Sequence, residues 1–139
     1  GLTLYGGISR VDQFQNTAGI NSDSEEQVIG FKYAMGGFTI GWQQNEDETG
    51  RSATNTKYEN TMYGITFNVN DDLSIGYGHV ESDKSGTTAV TAEADSIQAA
   101  YTMGGATIRI AEVEVTNQAY STAASADLDA HIVSLGLAF

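Results

Sequence analysis

The chain has 139 residues, no cysteine, no proline, 16 glycines and a formal net charge of −12. This length predicts a single domain, and the lack of cysteine excludes disulfides and zinc–thiolate sites. No stretch approaches the roughly 20 apolar residues of a membrane helix. The mean hydropathy of −0.24 suits a soluble protein, but it suits a membrane β-barrel equally well because lipid-facing and polar residues alternate there.

Eight segments show the period-two alternation of β-strands, and no segment has the 3.6-residue period of an amphipathic helix. Each is about ten residues long, which at ~3.3 Å per residue and a tilt near 40° spans roughly 25 Å, the height of an outer-membrane apolar band. No signal-peptide pattern precedes the first segment, so we expect a mature chain or a fragment. The fold class is predicted to be all-β, with strands at 1–11, 26–35, 37–45, 58–69, 72–81, 95–103, 106–116 and 128–139.

The predicted connections alternate in length along the chain. Short glycine- or asparagine-containing turns at 35–37, 68–72 and 103–105 predict tight hairpins. Long polar connections at 12–25, 45–57, 82–94 and 117–127 all fall at the other end of the sheet, and these loops with their adjoining strand ends hold 16 of the 18 acidic residues. The strand centres are expected to lack carboxylates. Such sorting is typical of an up-and-down barrel that crosses an outer membrane.

The two faces of the predicted sheet differ in the size of their side chains. One face is large and apolar, as in Ile29, Phe31, Ile65 and Leu135, and the other consists mainly of Gly, Ser, Thr and Ala. A soluble lipocalin-like barrel would place the large residues around an internal cavity, but its surface should then be rich in Lys and Glu. We therefore favour a transmembrane antiparallel barrel whose large face meets lipid and whose small face lines water.

Residue roles follow from this orientation. An aromatic girdle is predicted near the short-turn end, and four polar side chains are predicted to face the lumen. Val113 and Val115 fall out of phase with Ile108 and Ile110, so we expect a β-bulge near 111–112. The girdle residues are Tyr33, Phe38, Phe67 and Tyr101, with Phe139 at the terminus, and the lumen-facing residues are Lys32, Gln43, Gln98 and Arg109.

The final nine residues, HIVSLGLAF, resemble the terminal strand of Gram-negative outer-membrane proteins, in which the segment is read by the barrel-assembly machinery and ends on a Phe that matches Phe139. More narrowly, TMYGITFNVNDDLSIGYGHVESD, EADSIQAAYTMGGATIRIAEVEV and LGLAF resemble the C-terminal half of general diffusion porins of the alphaproteobacterial type. The resemblance implies sixteen strands, a homotrimer, passive diffusion and a location in the bacterial outer membrane. The large apolar face is expected to contact lipid, and the rim carboxylates to contact lipopolysaccharide through divalent ions. A pore-constricting loop is not implied, since its usual place lies in the other half.

Two functions stay open. The first is a porin for small hydrophilic solutes and ions, which is expected to prefer cations because its loops are acidic. The second is a small closed eight-stranded barrel that acts as an adhesin or anchor through those loops, although the small inward residues would leave such a barrel underfilled. No catalytic pairing, cofactor motif or basic aromatic patch is present, so we expect neither an enzyme nor a nucleic-acid partner. Acidic stretches such as NSDSEE and NEDET offer oxygen ligands for Ca²⁺, but without EF-hand spacing.

Overall fold

A computed structural model describes residues 1–13, 22–51, 56–86 and 88–138. They form one antiparallel sheet in which each strand pairs with the next in the chain, as an up-and-down meander requires. None of the helices in these ranges is long and apolar enough to cross a membrane. The strands are β1 (Leu2–Val11), β2 (Ser24–Met35), β3 (Phe38–Glu48), β4 (Lys57–Asn68), β5 (Leu73–Lys84), β6 (Val90–Met103), β7 (Ala106–Thr116) and β8 (Leu128–Leu137); two single 3₁₀ turns lie at Gln118–Tyr120 and Ala124–Ala126.

All eight predicted strands are confirmed, but several run further than the sequence indicated. β2, β3, β5 and β6 continue into the acidic stretches, so that the connection between β5 and β6 shrinks to 85–89. The prediction that strand centres lack carboxylates is therefore wrong for Asp95 and Glu112, which lie well inside β6 and β7. Acidic residues are compatible with a strand there because both faces of that end of the sheet carry polar groups.

Over the part of the chain that the structure describes, the sheet has no hydrophobic core. Among the described residues, Ala126 is the one buried hydrophobic residue, while Leu4, Ile8 and Val133 are more than 70% exposed. The accessible surface is 9416 Å², whereas a water-soluble globular protein of this mass would expose about 6,900 Å². The large apolar side chains therefore lack a protein interior and require another apolar surrounding.

β1 and β8 are the two edges of the sheet. In the described ranges, β1 pairs with β2 and β8 pairs with β7, and neither pairs with the other. The sheet is an open wall, which does not support the closed eight-stranded barrel considered from the sequence. Within a bilayer each edge needs a further strand, because unpaired backbone N–H and C=O groups cost several kcal/mol apiece in hydrocarbon.

The boundary of the apolar band crosses the strands obliquely. The last apolar residue on this face, towards the long loops, is Ile29 on β2 and Ile110 on β7. Directly opposed residues lead from Ile29 across the sheet to Gln44, Thr61, Glu81, Glu93 and finally Thr116 on β7. Thr116 lies six residues beyond Ile110, so the boundary of the band shifts by six residues over five strand spacings. At ~3.3 Å per residue and ~4.8 Å per strand, the band makes an angle of about 40° with the hydrogen-bonded rows. This is the strand tilt of outer-membrane barrels.

The predicted β-bulge near 111–112 is wrong. β7 pairs without interruption with both β6 and β8, and Glu112 and Glu114 stay on the face of Ile108 and Ile110. The tilt supplies the physical reason, since residues after Ile110 have already passed the edge of the apolar band. Carboxylates at this level can share the face with the isoleucines, so no change of register is needed.

Candidate pore wall and mouth

The sheet presents an apolar face that contains every predicted girdle residue described. Phe38 and Phe67 are directly opposed on β3 and β4, and their rings stack with centroids 4.3 Å apart. Tyr33 is opposed to Leu2 and Ile40, and Tyr101 to Leu73 and Ile108. The rings thus sit near the short-turn ends of their strands, as the sequence suggested, whereas Phe139 lies outside the described residues. The girdle role itself stays a prediction.

The opposite face, here called the small-residue face, carries all four side chains predicted to line a lumen. Apart from Met62, their direct neighbours are small or lack a side chain altogether: Lys32 is opposed to Thr3 and Gly41, and Arg109 to Ala100 and Ser134. Gln43 lies between Gly30 and Met62, and Gln98 between Gly76 and Ala111. The long polar side chains are therefore separated from one another by mostly small residues, which leaves room for water along this face.

Tyr5 lies across the small-residue face instead of pointing away from it. Its hydroxyl donates a 3.0 Å hydrogen bond to Gln43 Oε1, two strands away. The ring can take this path because its direct partner on β2 is Gly30, where a Cβ would lie 2.5 Å from the Tyr5 ring and 2.8 Å from the Trp42 carbonyl oxygen. Glycine is thus needed at position 30, and the Tyr5 ring covers the backbone that glycine leaves exposed.

We predict that Gly30→Val lowers the free energy of unfolding by about 1–3 kcal/mol, because the new side chain meets Tyr5 and backbone at once. Gly41→Val is the matched control: it lies on the same face of the adjacent strand, where a Cβ meets only the Phe31 carbonyl oxygen at 3.8 Å. Urea unfolding of both variants in lipid vesicles measures the difference. Equal stability of the two variants would contradict the role assigned to Gly30.

Charged groups collect on both faces at the long-loop end. On the apolar face, beyond the apolar band, Arg10 pairs with Glu25 at 2.6 Å and Lys57 with Glu46 at 2.5 Å. The hydrogen bond from Lys57 to Glu46 raises the pKa of the Lys57 ammonium above its ordinary value, so the ammonium stays charged at neutral pH. These pairs are partly exposed to solvent and contribute little to stability.

On the small-residue face the carboxylates of Glu26 and Asp47 are on directly opposed residues of β2 and β3. Both border a cavity of about 700 Å³ that Gly7, Gln43, Asn60 and Tyr120 also line. Two like charges at this spacing repel each other and make the local potential negative. In the described ranges, no group of three or more acidic or histidine side chains is arranged to hold a metal ion, and calcium binding stays a prediction.

The connection between β7 and β8 folds back over the small-residue face. The Tyr120 hydroxyl lies 2.7 Å from Ser82 Oγ on β5, and its ring packs against Tyr58 on β4 with centroids 5.4 Å apart. Lys84 Nζ lies 5.5 Å from the centre of the same ring. The sequence pattern predicted no role for Tyr120. The available signal was its isolation as the one aromatic residue in a stretch of small and polar residues (NQAYSTAASAD).

An open, tilted meander with one lipid-compatible face, one small polar face and long loops at one end defines the wall of an outer-membrane β-barrel. A family model described as Gram-negative porin matches residues 3–139. The chain therefore belongs to the Gram-negative porin family, a family of non-enzymatic channels, and is located in the bacterial outer membrane. Neither the curated proteins nor the solved structures include a significant match. The alphaproteobacterial type stays a prediction.

Proposed function

We propose that this chain forms part of the wall of a water-filled pore through which small hydrophilic solutes and ions diffuse passively. The observation that carries the proposal is the division of the sheet into two faces. Ile40, Ile65 and Tyr77 stand side by side on one face, while Gly64 and Gly76 lie on the other among Ser and Thr. Only the first face is suited to acyl chains, and the second leaves space for water.

Two features favour a wide barrel of sixteen strands over a narrow one. The edges formed by β1 and β8 are unpaired in the described residues, so further strands must cover them within a bilayer. An eight-stranded barrel has an interior that side chains must fill, whereas a barrel of about 16 strands leaves an aqueous channel. The many glycines and alanines of the small-residue face suit the wider alternative.

The cation preference is proposed from the placement of charge around the mouth. Glu26 and Asp47 lie on the small-residue face, where they raise the local concentration of cations and lower that of anions. Lys32 and Arg109 lie on the same face closer to the short turns and oppose this bias. The net effect is expected to be a moderate preference for cations that weakens as salt screens the carboxylates.

The proposed partners follow from the same orientation. The apolar face contacts the lipid bilayer, and the charged groups above the band contact lipopolysaccharide, with Ca²⁺ as a bridging ion. Assembly as a homotrimer and recognition of Phe139 by the barrel-assembly machinery follow from the resemblance seen in the sequence.

Planar-bilayer recording of the full-length protein tests the channel. We expect stable conductance steps and, in a salt gradient, a reversal potential whose sign corresponds to cation preference. An anion-preferring reversal potential would reject the electrostatic part alone, because a channel would still be present. A purified, correctly inserted protein without any ion conductance would reject the pore.

A further inference from the structure

We propose that the segment between β7 and β8, residues 117–127, constricts the outer mouth of the pore, and that Tyr120 sets the width of the opening. This inference rests on the proposed channel function. Residues 117–127 lie in the half of the barrel for which the resemblance implies no pore-constricting loop.

The reach of the segment is the first argument. The chain leaves β7 at Thr116, yet the Tyr120 ring contacts Tyr58 on β4 and its hydroxyl contacts Ser82 on β5. At ~4.8 Å between strands, the ring has crossed about three strand spacings, or roughly 14 Å. A loop that simply extended from the barrel rim would make no such contact. Tyr120 therefore overhangs the small-residue face, which borders the lumen in the proposed pore.

The segment is also fixed in place by hydrogen bonds at its base. Asn117 Nδ2 donates to the Thr91 carbonyl oxygen at 2.9 Å, and the Asn117 backbone N–H donates to Asp127 Oδ1 at 3.0 Å. The Tyr120 N–H donates in turn to the Asn117 carbonyl oxygen at 2.9 Å. Ala126, the buried hydrophobic residue, lies in this segment as well. These contacts tie both ends of the segment to each other and to β6.

Backbone conformation gives an independent indication that the fold of the segment is specific. Asn117, Ala119 and Tyr120 have φ values of 54°, 55° and 58°. Left-handed conformations of this kind are uncommon for residues other than glycine and cost of order 1 kcal/mol or more each. Such conformations persist where surrounding contacts hold them in place. Here Tyr120 belongs to the left-handed turn itself, and its side chain makes contacts that hold the turn.

The chemistry of the opening follows from what surrounds Tyr120. Tyr120 and Tyr58 border the 700 Å³ cavity together with Glu26 and Asp47, and Asp47 is directly opposed to Tyr58 in the sheet. Lys84 lies over the ring of Tyr120, so its charge is held beside the aromatic pair. A permeating solute would therefore meet aromatic rings and carboxylates side by side, which would favour small, cationic or uncharged hydrophilic molecules.

Tyr120→Ala tests the width of the opening directly. We expect single-channel conductance in planar bilayers to rise by about a quarter or more, and larger sugars to enter protein-containing liposomes faster, because the overhanging ring is removed. Gln118→Ala is the matched control, since Gln118 is exposed on the same turn and its conductance should equal that of the unmodified protein. Unchanged conductance of a correctly folded Tyr120→Ala channel would overturn the proposal while leaving the porin function intact.

A cysteine-labelling experiment covers the case in which Tyr120→Ala folds poorly. The chain has no cysteine of its own, so Ala119→Cys introduces a single reactive thiol beside Tyr120. Addition of a bulky methanethiosulfonate reagent on the long-loop side should reduce the current in steps. Ile65→Cys, on the apolar face, is the control whose exposure to the same reagent should leave the current unchanged. Labelling of Ala119→Cys without loss of current would contradict a position in the mouth, and absence of any current before labelling would instead reject the channel.

Discussion

Ile65→Arg is expected to lower the free energy of unfolding in a lipid bilayer by about 2–4 kcal/mol, the cost of a cationic side chain at mid-depth on the lipid face of a barrel. Ile65 lies within the apolar face, directly between Ile40 on β3 and Tyr77 on β5. No carboxylate is directly opposed to it in the sheet, so the guanidinium gains no compensating ion pair there. Urea titrations of protein folded into phospholipid vesicles measure the loss.

Thr66→Arg is the matched control for this substitution. Thr66 is the next residue of β4, points to the small-residue face and is directly opposed to Gly76, which has no side chain. An arginine there extends into water in the proposed pore, and we expect a change within about 1 kcal/mol. A larger loss for Thr66→Arg than for Ile65→Arg would reverse the assignment of the two faces and with it the orientation on which the pore depends.

Glu26→Gln combined with Asp47→Asn is expected to reduce the cation-to-anion permeability ratio of the channel by about twofold or more at low salt, because the opposed carboxylates sit on the small-residue face at the mouth. The effect should fade towards 1 M salt, where the screening length falls to ~3 Å. Reversal potentials recorded in KCl gradients at several concentrations give the ratio.

Glu81→Gln combined with Glu93→Gln removes the same two charges from the apolar-face side. These residues are directly opposed on β5 and β6, beyond the apolar band. Because the wall lies between them and the lumen, their removal should change the permeability ratio far less. An equal shift in both double variants would mean that total charge, and not placement on the pore wall, sets the selectivity.

The number of strands, their antiparallel order and the composition of the two faces could be predicted because each depends on local alternation and turn residues. Lys32, Gln43, Gln98 and Arg109 share a face for the simple reason that side chains on a strand alternate with period two. The same local argument failed at β7, where the change of pattern after Ile110 was interpreted as a bulge. The tilt of the sheet cannot be inferred from the sequence of β7 alone, because it arises from the register between strands.

The sequence by itself thus determined a two-faced meander with short turns at one end, because periodicity and turn formation depend on residues that are close together in the chain. The tertiary structure decided three things: the oblique course of the apolar band, the continuation of strands into the acidic stretches, and the return of residues 117–127 across the small-residue face. Each depends on contacts between residues far apart in the chain, such as that of Tyr120 with Ser82. Such contacts leave no periodic signal in the sequence.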